Sequence, residues 1–161
     1  SSAEDCDIHC KKELFTIRSE SALINFDSCR VASDTGVLIH SRVNPDPMAP
    51  AVNGRRVFGI RANFRNMNLR GDILHEDPDR DMTITLEHTE LTGVLKSVFL
   101  CLKPGSRWFA AGDSSITLRD CEAALSQIDA AEGTVIDCIA DEDAVYTLAS
   151  GGTLAVHKWT V

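Results

Sequence analysis

Three apolar pairs, Ile84-Thr85-Leu86, Leu100-Cys101-Leu102 and Ile116-Thr117-Leu118, recur at a spacing of 16 residues. In a strand successive side chains alternate between faces, so each pair of inward positions flanks one outward residue: Thr85, Cys101 and Thr117. After each pair comes a polar turn and another apolar position. Glu87-His88-Thr89-Glu90 leads to Leu91, Lys103-Pro104-Gly105-Ser106-Arg107 to Trp108, and later Ala149-Ser150-Gly151-Gly152-Thr153 to Leu154. A fixed period of strand, turn and strand is the mark of a repeat architecture. A sandwich hairpin would send its next strand back antiparallel, whereas a short unit that returns in register stacks like on like in parallel sheets. No Asn-Gly or Asp-Gly turn joins neighbouring strands: Asn53-Gly54 falls in a proline-rich stretch and Gly71-Asp72 is in the reverse order. The repeat therefore predicts an all-β, right-handed parallel β-helix of roughly six to seven short coils.

The rest of the chain agrees. Period-two apolar pairs occur at Phe15/Ile17, Ile24/Phe26, Phe58/Ile60, Met67/Leu69, Tyr146/Leu148 and Leu154/Val156, each brief and bounded by polar or turn-forming residues. Helix formers run together only from Asp120 to Ala130, where the apolar spacing is short and lacks a clear stop. Three of the five prolines crowd into Asn44–Gly54, which forbids a central strand and predicts an excursion loop over 44–54. With 161 residues the chain is one domain of ordinary size, 1–161, long enough for its own core.

At 43% hydrophobic and 25% charged residues, the composition excludes disorder, and no apolar run approaches the 18 residues that would suggest a transmembrane helix. The net charge of −8 provides no general field for phosphate backbones, so nucleic acid is not an expected partner. Cys6, Cys10, Cys29, Cys101, Cys121 and Cys138 are all disulfide candidates and permit 15 full pairings. Proximity in sequence suggests local bridges of Cys6 and Cys10 with Cys29, and of Cys121 with Cys138. Six reduced thiols packing as small apolar residues are the alternative. The opening Ser1-Ser2-Ala3-Glu4-Asp5 carries neither a start Met nor a signal sequence, as expected of a processed or excised piece.

Several segments carry a family likeness. These are Met67-Asn68-Leu69-Arg70-Gly71-Asp72-Ile73, Met82-Thr83-Ile84-Thr85-Leu86, Leu91-Thr92-Gly93-Val94 and Ser106-Arg107-Trp108-Phe109-Ala110-Ala111-Gly112-Asp113-Ser114. From about Phe15 to Val161 the chain resembles the pertactin-like, adhesin-like right-handed β-helix proteins of bacterial surfaces. That resemblance implies a surface or secreted protein without catalysis.

Candidate sites are sparse. Asp5-Cys6-Asp7-Ile8-His9-Cys10 offers soft ligands, but a structural zinc site wants four and no second Cys/His pair has finger spacing, so no metal is predicted. Glu76-Asp77-Pro78-Asp79-Arg80-Asp81 alternates carboxylates without the glycine an EF-hand loop needs, and reads as a solvated turn. His40, His75, His88 and His157 are scattered, no serine has a nucleophile-elbow context, and no catalytic residues or cofactors are predicted. Arg55, Arg56, Arg61, Arg65 and Arg70, with Phe58 and Phe64 between them, form the one basic concentration and the candidate site for an anion or glycan; the plainer reading is a solvated face. Trp108 falls at an inward rung position, and Trp159 is placed to help cover the last coil.

The leading expectation is a non-catalytic, extracellular or cell-surface scaffold or adhesion module presenting its loops or a sheet face to a glycan or surface protein. The alternatives are a carbohydrate-active β-helix enzyme of lyase or hydrolase type, or a fragment of one, and a small disulfide-stabilised secreted β-sandwich effector. The former would need carboxylates converging on one face near the arginines; the latter would show antiparallel pairing. Terminal coils need covering, by 1–14 at one end and 155–161 at the other, and an end left open predicts a homodimer through it.

Overall fold

The computed structural model describes residues 1–45, 59–118 and 124–160. Among them the chain is all β, without an α-helix. The first nine strands are β1 (Ser2–Glu4), β2 (Asp7–Cys10), β3 (Phe15–Arg18), β4 (Ala22–Asp27), β5 (Arg30–Ser33), β6 (Val37–Arg42), β7 (Ile60–Arg65), β8 (Asn68–Arg70) and β9 (Asp72–Glu76). They are followed by β10 (Met82–Glu87), β11 (Glu90–Gly93), β12 (Leu95–Leu102), β13 (Arg107–Ala110), β14 (Ser114–Thr117), β15 (Ile128–Ala130), β16 (Val135–Ala140), β17 (Ala144–Thr147) and β18 (Thr153–Lys158).

Pairing is parallel throughout the described strands except between β17 and β18, so the antiparallel pairing a sandwich requires is confined to one end. In the main path β1, β4, β7, β10, β12, β14, β16 and β18 lie side by side in that order. Register places like on like: Ile24, Ala62, Ile84 and Leu100 form one inward row, and Phe26, Phe64, Leu86 and Leu102 the next. All eight are buried, and the Phe26 and Phe64 rings stack at 6.0 Å. Full burial of each large side chain contributes about 1.5–3 kcal/mol, so the rows supply much of the cohesion. A second set, β8, β11, β13 and β15, aligns Leu69, Leu91, Trp108 and Ile128. A third, β3, β6, β9 and the start of β12, aligns Phe15, Ile39, Ile73 and Leu95. This parallel, in-register stacking is compatible with a β-helix-like fold.

One left-handed residue sets the bend after each of β1, β4, β7 and β10. Asp5, Ser28, Asn66 and His88 occupy equivalent places with φ of 49°, 57°, 54° and 47°. Short polar side chains tolerate that conformation better than bulky ones. The following residues, Cys6, Cys29, Met67 and Thr89, start the next side, and the last three of them are buried.

The 16-residue spacing holds for the first two rungs, where Ile84 pairs with Leu100. The third rung departs from it: Ile116 pairs with Val98, two residues earlier than the repeat predicts, and Thr117 lies beside Phe99. The cause is Ser97, whose φ of 56° makes a bulge where β12 crosses from the third set into the main path.

The helix-forming stretch yields a 3-10 turn at Leu125–Gln127 followed by β15, because Ile128 stacks on Trp108. Residues 119–123 lie outside the described ones, as does most of the proline-rich loop over 44–54. Residues 155–158 sit inside β18, flanked by β16 and β17, so β17 stands at that end of the sheet instead of the tail. At the other end β1 and β2, within 1–14, pair in register with β4 and β5. No helix among the described residues is long and apolar enough to cross a membrane.

Candidate ligand-binding groove

Stacking that aligns inward residues aligns outward ones as well. Beside the buried rows, Ser2, Asn25, Asn63, Thr85 and Cys101 are register partners in turn. The adjacent outward row is charged: Glu4, Asp27, Arg65 and Glu87. Together these two rows line a groove of about 690 Å³ crossing β1, β4, β7 and β10. At a strand spacing of about 4.8 Å, four strands give the groove a length of about 14 Å across the sheet.

The polar row is linked along its length. Asn63 Nδ2 donates to Asn25 Oδ1 at 2.8 Å, and Asn25 Nδ2 to Ser2 Oγ at 3.4 Å. Each amide carries two N–H donors and an acceptor oxygen, and Thr85 adds a hydroxyl, so donors and acceptors are left to face a ligand. In the charged row Arg65 Nε donates to Glu87 Oε2 at 3.1 Å. Asp27 accepts from Ser28 Oγ at 2.7 Å and Asn66 Nδ2 at 3.1 Å. Those two hydrogen bonds, with the nearby Arg65 guanidinium, hold the Asp27 carboxyl below the usual carboxylate range. The groove is thus edged by three carboxylates and one guanidinium.

The five arginines do not form one strip. Arg61 and Arg65 share the outer face of β7, and Arg65 lines the groove; Arg70 belongs to β8, beside Thr92 in a different sheet; Arg55 and Arg56 lie outside the described residues. Phe64 is buried and does not interleave with them on the surface. The residues that build the groove floor, Ser2, Asn25 and Asn63, carry no motif. Alternation around Ile24/Phe26 marks Asn25 as outward, but its partnership with Asn63 spans 38 residues and the proline-rich loop.

The cysteines divide. Cys101 is disulfide-bonded, whereas Cys6, Cys10, Cys29 and Cys138 are free thiols. Pairing of Cys121 with Cys138 is therefore not formed: Cys138 points inward, in a row with Ile116 and Val156. Burial pushes its thiol up to about 11. Native protein treated with iodoacetamide at neutral pH is expected to leave Cys138 unlabelled and to label it in denaturant; labelling of Cys138 at the rate of a free peptide thiol would contradict its burial. Cys6 Sγ lies 2.9 Å from Cys29 Sγ, while His9 Nε2 turns to Asp34 Oδ1 at 2.6 Å. No group of three or more His, Cys, Asp or Glu placed to hold a metal occurs among the described residues.

The Glu76–Asp81 segment is not simply a solvated turn. Asp77 is buried, its carboxylate meets Arg80 Nη1 at 2.9 Å, and His75 Nε2 donates to the Arg80 carbonyl at 2.6 Å. Ser41 Oγ, His75 Nδ1 and Arg80 Nε are buried there without hydrogen-bond partners. Trp108 is core, with Nε1 donating to the Gly93 carbonyl at 3.0 Å, and Trp159 is 37% exposed.

Comparisons with protein-family models, curated proteins and solved structures yield no match.

Proposed function

We propose that the chain is a non-catalytic binding module of a cell-surface or secreted protein, wound as a right-handed parallel β-helix of the adhesin-like kind, and that its groove holds a glycan. The amide and hydroxyl row Ser2, Asn25, Asn63 and Thr85 carries this reading. It repeats polar groups at strand spacing along a groove, and sugar hydroxyls both donate and accept hydrogen bonds, as amides do. Three carboxylates against one guanidinium along the edge disfavour polyanions, so a neutral or amino-sugar chain suits the groove better than an acidic one.

The same carboxylates favour a second reading, a carbohydrate-active enzyme, because they lie on one row with Arg65. Hydrolysis needs a carboxylic acid kept protonated near neutral pH. Asp27 is shifted the opposite way and Glu87 is engaged by Arg65, which supports binding over turnover.

Titration calorimetry with neutral, amino-sugar and acidic oligosaccharides tests the proposal. The expected result is saturable binding of a neutral or amino-sugar chain, without product formation, weakened about tenfold in Asn63→Ala, the effect of losing one hydrogen bond of about 1.4 kcal/mol. Binding of none of the three classes, or an affinity unchanged in Asn63→Ala, would overturn it.

A further inference from the structure

Cys6 follows β1 and Cys29 follows β4, each one residue beyond the left-handed bend, so the stacking that aligns the sheets brings the two thiols together. The offset of 23 residues that pairs Glu4 with Asp27 and Asp7 with Arg30 also carries Cys6 onto Cys29. Neighbouring strands lie about 4.8 Å apart, inside the range of Cα separations that a disulfide spans. The sulfurs are already at 2.9 Å. A metal would need further ligands, and no third one is placed beside the pair among the described residues.

What the pair holds is one edge of the groove. β1 has three residues and a single strand neighbour, β4, yet Ser2, Ala3 and Glu4 line the groove. Its remaining attachments are backbone hydrogen bonds, among them Asp5 N to the Asp27 carbonyl at 3.0 Å and Asn25 N to the Ser1 carbonyl at 2.8 Å. Short edge segments of this kind open locally at low free-energy cost.

We propose that Cys6 and Cys29 form a reversible disulfide that pins β1 against β4 and so sets whether the groove is complete; the regulatory meaning rests on the glycan-binding reading, the bond itself does not. The oxidant is a low-molecular-weight disulfide such as oxidised glutathione. The thiolate of Cys6, the more exposed of the two, attacks one glutathione sulfur, expelling glutathione thiolate. Cys29 then attacks the Cys6 sulfur of the mixed disulfide and expels the second glutathione. Both cysteines are oxidised, one glutathione disulfide is reduced to two thiols, and the two cysteine protons end on them. The Cys6 thiol is held up near 11, first by its hydrogen bond with Cys29, so oxidation speeds up as pH rises above neutral.

The full chain is incubated with oxidised or reduced glutathione, then followed by peptide mapping and amide hydrogen exchange. The expected result is a Cys6–Cys29 linked peptide, two hydrogen atoms lighter than the reduced pair, with exchange at Asp5 at least tenfold slower in the oxidised protein. In Cys29→Ser, oxidation leaves Asp5 exchange unchanged. Absence of the linked peptide, a Cys6–Cys10 link in its place, or a Cys6–Cys29 link that leaves Asp5 exchange unaltered would each overturn the proposal. Glycan titration of the two forms is read separately. Slowed exchange without glycan binding in either form sinks the function and leaves the bond standing; equal glycan affinity in both forms sinks the regulation alone.

Discussion

Trp108→Ala is expected to lower the free energy of unfolding by about 3–5 kcal/mol, the range for truncating a buried aromatic side chain. Trp108 is 1% exposed and stands in the row with Leu69, Leu91 and Ile128, so removing the indole opens a void that neighbours fixed by strand pairing cannot fill. It also strands the Gly93 carbonyl, which accepts the indole N–H. Trp108→Phe separates the two effects: it keeps most of the volume and gives up the hydrogen bond, for a loss nearer 1–2 kcal/mol. Urea denaturation of the three proteins measures both. A loss below about 1 kcal/mol in Trp108→Ala would mean that this side chain does not anchor the core.

Arg80→Met is expected to cost a comparable amount, about 3–5 kcal/mol, through charge instead of volume. It leaves the Asp77 carboxylate buried without its guanidinium. A buried, unpaired carboxylate has its pKa raised in the folded state, so that state binds the extra proton. The stability deficit should therefore shrink as pH falls from 7 toward 4. Asp77→Asn combined with Arg80→Met removes the orphaned charge and keeps the side-chain acceptor for the Asp79 amide, and it should recover at least half of the loss at pH 7. A deficit in Arg80→Met that is flat with pH, or a double variant no better than the single one, would show that the pair does not act through its charges.

Much of the interior was legible because strand periodicity and burial are the same signal. Ile84, Leu86, Leu100 and Leu102 occupy the inward rows that their spacing predicts, and Thr85 and Cys101 face outward as register partners. The signal failed where a backbone detail intervened. Nothing in the side chain of Ser97 announces a left-handed residue, yet it moves the partner of Ile116 from Leu100 to Val98. Asp77 sits in a string of acidic residues, and composition cannot reveal that Arg80 folds back to cover it. Helix-forming residues near Ile128 yielded to a strand because stacking on Trp108 outweighs a weak local preference.

The groove was hidden for a related reason. Its floor joins residues from four strands, and the key neighbours Asn25 and Asn63 are 38 positions apart, whereas Asn63 and Thr85 are 22 apart and Thr85 and Cys101 only 16. A search for a constant period finds the last of these and misses the first.

That unevenness has an engineering consequence. β4 and β7 keep six consecutive register pairs although the chain between them makes the longest excursion in the molecule. The sheet fixes which residues sit side by side but leaves the length of that connection free. The segment between Arg42 and Ile60 is accordingly a natural port for grafting: a foreign loop or reporter peptide spliced there is bounded by strands whose alignment does not depend on what joins them.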